Sequence, residues 1–179
     1  MKATGIVRRI DDLGRVVIPK EIRRTMRIRE GDPLEIYTTR EGEVIFKKYS
    51  LLGGLEDFAA QFCDALNRTS GFTAAVTDRD AVIAITGAGK RELLGKSLSE
   101  ALSRVMEERR IYCCQGADQL LPVTDGNDRY TAAVAAPILC EGDVLGLVLF
   151  LSAEGQIPGE GEYKLAQTVS AFLGKHMEA

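Results

Sequence analysis

Residues 11–24 read DDLGRVVIPKEIRR. DDLG is a turn signal, and the β-branched run after it has strand composition, with Val16 and Ile18 on one face. Pro19 then suits the first position of a helix and Glu21 the positive end of its dipole, which predicts a helix over 20–28. At about 100° per residue, Met26 falls within about 40° of Ile22, whereas Arg23, Arg27 and Arg24 lie about 100° to 200° away. One side of this helix is therefore apolar and the other a cationic ridge. Residues 17–32 hold five cations, Lys20, Arg23, Arg24, Arg27 and Arg29, in a chain whose net charge is -3.

The flanking sequence has the same short-strand character. GIVRRI (5–10), PLEIYTT (33–39) and EVIFKKY (43–49) join GRVVI (14–18) as β-rich stretches, with REGE as a second turn. Leu34 and Ile36 share a face, as do Val44 and Phe46, but adjacent Arg8 and Arg9 place a cation on each face of the first stretch. A nine-residue helix and four short strands bury little apolar surface, so these fifty residues are expected to fold only with a second copy.

Charge divides the chain of 179 residues. Residues 1–50 hold 12 Lys and Arg against 8 Asp and Glu, and the remainder 11 against 18, so a head of net +4 is joined to a body of net -7. A basic module of this kind meets phosphates or anionic surfaces. MKATGIVRRI lacks the apolar core of a signal peptide, and no run of about 18 apolar residues is present, so the expected compartment is the cytoplasm, without membrane partners. Cys63, Cys113, Cys114 and Cys140 have no C-x-x-C spacing, and neighbouring Cys113 and Cys114 in a strand would point to opposite faces, so buried thiols are expected rather than a metal site.

SLLGG (50–54) marks the joint, with 51–54 as linker. Leu55, Phe58, Ala59, Phe62 and Leu66 follow helical spacing towards Gly71. FTAAVTDRDAVIAIT reads as two strands about DRDA, and SLSEALSRVMEERR as a helix opened by a capping box of Ser97 and Glu100. RYTAAVAAPILC and DVLGLVLFLSA form a hairpin about EGD, QGADQLLPVTDGNDR (115–129) is a long loop, and a last helix carries Leu165, Val169, Phe172 and Met177 near one stripe. The expected body, 55–179, is an antiparallel sheet flanked by helices.

TGIVRRIDDLGRVVIPKEIRRTMRIREGDPLEIYTTREGEVIFKKY, residues 4–49, resembles the DNA-binding domain of the AbrB family of bacterial transition-state regulators. The resemblance implies an N-terminal domain, 1–50, that is a swapped-hairpin β-barrel of two interleaved chains binding double-stranded DNA. It places the DNA contacts on Arg8, Arg15, Arg23 and Arg24, with Arg9 beside the first, on one shared face. The body resembles a GAF domain, the small-molecule sensing module, by its element order. Head and body together imply a nucleoid-associated regulator, activating or repressing sporulation genes, that is a dimer or a homotetramer in which terminal helices of the body form a bundle bringing two DNA-binding heads together.

TGAGKREL suggests a phosphate loop, but Ala84 stands where a Walker glycine belongs, Arg91 where Ser or Thr belongs, and Glu92 where a dinucleotide fingerprint needs glycine. A sensing pocket would lie between the sheet and segments 87–96 and 115–129. Ala132, Ala133, Ala135 and Ala136 suit either such a cavity or close helix packing. The cyclic-nucleotide motif and an obvious chromophore cysteine of some GAF domains are absent, so no cofactor is expected and any ligand is unidentified. His176, the only histidine, has no motif-placed nucleophile, and no enzyme is expected. The competing reading is an antitoxin-type interaction protein with secondary DNA binding; such a chain would carry a disordered tail after residue 50.

Overall fold

The structure is a computed structural model that describes residues 5–49, 55–152 and 156–177. The chain forms two compact units, Met1–Tyr49 and Ser50–Ala179. The expected linker, 51–54, lies outside the described residues.

The head contains α1 (Lys20–Thr25) and an antiparallel hairpin of β1 (Leu34–Thr38) and β2 (Val44–Lys48), with Ile36 opposite Phe46. Helix α1 stops three residues earlier than its periodicity predicts. Arg27 adopts a left-handed φ of 51°, its N–H bonds the Arg24 carbonyl at 3.2 Å, and the Ile28 N–H bonds the Arg23 carbonyl at 2.7 Å. This pair of bonds is a Schellman stop, built here on an arginine where glycine is the usual choice. Pro19 is the N-cap rather than the first helical residue. Lys48 ties the helix end to the hairpin by donating to the Arg27 carbonyl at 2.8 Å, and its Nζ lies 3.7 Å from Asp32.

GIVRRI and GRVVI, expected as strands, carry no strand assignment among the described residues. A strand exists through its ladder partners, and the hairpin in this one chain pairs only with itself. The same deficit appears in packing. Pro19 is the one buried residue between 5 and 49, and, among the described residues, twelve of the sixteen exposed large apolar side chains lie between Ile6 and Tyr49.

The body is α2 (Glu56–Ser70), β3 (Ala74–Thr77), β4 (Val82–Thr86), α3 (Lys90–Leu93), α4 (Glu100–Glu108), β5 (Tyr112–Cys113), β6 (Leu121–Thr124), β7 (Asn127–Cys140), β8 (Asp143–Leu151) and α5 (Glu160–His176). The sheet runs β4-β3-β8-β7-β5 with β6 also on β7, and every pairing is antiparallel. The segment expected as a loop over 115–129 therefore supplies an edge strand, β6.

Period-two alternation sorts the sheet into two cores. Val76, Val134, Ile138, Val148 and Phe150 face Cys63 and Leu66 of α2 and Val169 and Leu173 of α5. Ala75, Ile85, Leu147, Leu149 and Leu151 face Leu93 of α3 and Leu102, Val105 and Met106 of α4. A register shift between Ala132 and Val134 reverses the alternation in β7, sending Ala132 to the second core and Val134 to the first. Ala132, Ala133, Ala135 and Ala136 are all fully buried. A Cβ on Gly174 of α5 would stand 2.0 Å from the Leu139 carbonyl oxygen, so the glycine lets helix backbone rest on strand backbone.

The cap of α4 is Ser99, not Ser97. Its hydroxyl accepts from the Leu102 N–H at 3.2 Å and donates to the Pro122 carbonyl at 2.6 Å, while Ser97 bridges Ala81 beside the sheet.

Candidate nucleic-acid interface

The cationic side chains of the head rest on three local supports. Arg8 and Arg9 lie in the segment before the DDLG turn, and both are exposed. Arg15 follows the turn, which Asp11 organises: one carboxylate oxygen accepts the Leu13 N–H at 3.0 Å and the Arg15 N–H at 2.8 Å. The Gly14 N–H bonds the Asp11 carbonyl at 3.0 Å, and Gly14 has the left-handed φ of 75° that this turn requires. The second Asp11 oxygen accepts the Arg15 Nε–H at 2.8 Å. These backbone and side-chain donors from Arg15 hold the Asp11 carboxyl below its usual range.

Arg23 and Arg24 occupy the last turn of α1, where a cation suits the negative end of the helix dipole, and both side chains are exposed. Among the described residues no ion pair engages Arg8, Arg9, Arg23 or Arg24. Arg15 keeps 69% of its side chain exposed despite its pairing with Asp11. The head thus offers exposed guanidinium forks, which suit phosphate oxygens or the O6/N7 edge of guanine.

The body presents other chemistry. Gly87 and Gly89 both have left-handed φ, and the Ala88 N–H between them bonds Thr73 Oγ1 at 2.8 Å, so TGAGK is a turn leading into the four-residue α3. Tyr130 donates to Glu92 at 2.7 Å, which raises its pKa, and Arg129 lies 3.3 Å from the same carboxylate. Burial pushes the Cys63 thiol up to about 12, leaving it an inert core side chain. No group of three or more His, Cys, Asp or Glu side chains is placed to hold a metal among the described residues. Nor is any described helix long and apolar enough to cross a membrane. A ring cluster joins α2 and α5, with Phe58 and Phe62 partly buried against the first core and Phe172 exposed: Phe58 and Phe62 lie 5.0 Å apart, Phe62 and Phe172 5.4 Å, and Phe58 and His176 5.0 Å.

The chain thus combines a head of exposed arginines, suited to DNA, with a helix-flanked antiparallel sheet domain. The family described as the C-terminal domain of stage V sporulation protein T, a transcription factor, matches residues 54–178, and the MazE antidote-toxin recognition family matches 7–50. Stage V sporulation protein T of Bacillus subtilis is 49% identical over 178 residues, covering 99% of both chains. The chain belongs to the stage V sporulation protein T family. Its first fifty residues are similar to the transition state regulatory protein AbrB of Bacillus subtilis, 63% identical over 49 residues, 27% of this chain and 50% of that one. The body shares the fold of the GAF domain of an Acinetobacter phosphoenolpyruvate-protein phosphotransferase, with a TM-score of 0.57 at 17% identity, covering 73% of this chain and 84% of that one.

Proposed function

We propose that two copies of the head interleave into one barrel and apply Arg8, Arg9, Arg15, Arg23 and Arg24, repeated twice, to duplex DNA. The observation that carries this reading is the combination of exposed arginines with a head that has almost no core of its own. A second copy supplies both the missing ladder partners and the cover for Val7, Val17, Ile36 and Val44. The work is regulation of transcription rather than catalysis, and the match over the whole chain to a sporulation regulator supports this over the antitoxin reading.

The experiment is an Arg23→Ala/Arg24→Ala variant titrated against promoter duplexes at several salt concentrations. An arginine that pairs with a phosphate lowers the salt slope by about 1 when it is removed, and one that reads a base edge costs about 1 to 3 kcal/mol. Unchanged affinity and slope in a variant of native oligomeric mass would remove these residues from the interface.

The body, on the same reading, joins two dimers through the ring cluster on α2 and α5 and receives a small-molecule input. The fully buried alanines of β7 supply close helix packing. Thermal-shift screening of the full chain against nucleotides and metabolites tests that input, and a flat response would reduce the body to a scaffold.

A further inference from the structure

Both oxygens of Asp11 are committed, one to the turn amides of Leu13 and Arg15 and the other to the Arg15 Nε–H. The carboxylate cannot swing away from the guanidinium without releasing the turn, and the donors from Arg15 favour its ionised form. A guanidinium has five donors, of which Nε–H is the one on the inner edge. Occupying that edge leaves both terminal nitrogens free, and 69% of the Arg15 side chain remains exposed.

We propose that Asp11 is a positioning residue for DNA recognition, gripping the inner edge of Arg15 so that its outer fork is aimed at the duplex. The proposal rests on the reading of Arg15 as a DNA contact. A long exposed side chain surrenders rotamer freedom when it docks, and a fork already held in place surrenders less. The carboxylate also repels phosphates at large, so it weakens binding that lacks a correctly placed acceptor for Arg15. Asp11 therefore acts on specificity: it favours a duplex that offers an acceptor where the fork points and penalises one that does not.

The test uses the full chain with two probes, the tightest duplex it selects from a random-sequence pool and a scrambled duplex of equal length. Asp11→Asn keeps an oxygen for the turn amides and loses the charge and the grip. Expected are about tenfold weaker binding of the selected duplex, no loss on the scrambled one, and an effect within about twofold when Asp11→Asn is placed in an Arg15→Ala background. A structural lesion would persist in that background, and its persistence overturns the proposal. So does undiminished binding of the selected duplex by Asp11→Asn while Arg15→Ala binds it weakly. Wild-type affinity in Arg15→Ala itself overturns the reading of Arg15, and the proposal with it. Arg15→Lys leaves the turn untouched and can still pair with Asp11 but has no outer fork; it should bind the selected duplex as weakly as Arg15→Ala, and wild-type affinity there also overturns the proposal.

Discussion

Ser99 is fully buried, and its hydroxyl serves two backbone groups at once, the Leu102 N–H and the Pro122 carbonyl. Ser99→Ala would leave both without that partner in the interior, at a cost of about 1 to 3 kcal/mol. A lower urea midpoint with an unchanged slope is the expected result, and a midpoint equal to wild type would show that water replaces the hydroxyl. The sequence offers Ser97 for this role because it stands three residues before Glu100. What displaces it is tertiary: Ser97 bridges Ala81 at the sheet margin, so the helix begins two residues later. Arg23 and Arg24 were legible as an outward ridge from helical periodicity, whereas Arg8, Arg9 and Arg15 were singled out as DNA contacts by the resemblance to the AbrB family. Asp11 was legible only as a turn former, since its grip on Arg15 depends on the turn folding back far enough to bring the two side chains together. Arg27 gives no sign of its left-handed backbone, because that position in a Schellman stop ordinarily reads as glycine.

At the scale of elements, the seat of α5 depends on a single residue. Gly174 faces the Leu139 carbonyl at a distance no side chain can enter, so Gly174→Ala must lift α5 off β7 or bend it. The overpacking should cost about 1 to 3 kcal/mol, measurable as a depressed thermal midpoint of the body. An unaltered midpoint would mean that α5 slides without penalty. Body elements with long apolar periodicity, α2, α4, α5 and the β7–β8 hairpin, were readable because each buries a continuous stripe. Strand β6 was hidden inside a polar stretch, where only Val123 is buried and Pro122 interrupts the strand composition. Four alanines in β7 could not choose between cavity and contact from composition alone; their complete burial between α2 and α5 on one face and α4 on the other follows from the sheet being covered twice. In the head, strand composition in GIVRRI and GRVVI promises ladders that one chain cannot supply. That mismatch between local propensity and local structure marks where the second copy is needed.

At the level of the whole molecule, the two units differ in what they leave exposed. The head leaves guanidinium groups and β-branched side chains, whereas the body leaves Phe172, 49% exposed, stacked on His176 and in tilted contact with the partly buried Phe58 and Phe62. Rings on two adjacent helices make a self-complementary patch, and an isologous contact places the same patch on both partners. Phe172→Asp would therefore bring two carboxylates into one apolar seam, and a desolvated like-charge pair costs far more than the rings contribute. On the proposed assembly of two dimers, sedimentation equilibrium should show tetramers for the wild type and dimers for the variant, with the head-to-head pairing intact. Affinity for one isolated site should be unchanged. Affinity for two sites on a single duplex should fall by about 10² to 10⁴, because the second head no longer binds at high effective concentration. A variant that remains tetrameric would place the junction between dimers elsewhere on the body. A dimeric variant that kept full affinity for paired sites would show that bundling the body does not couple the two DNA-binding heads.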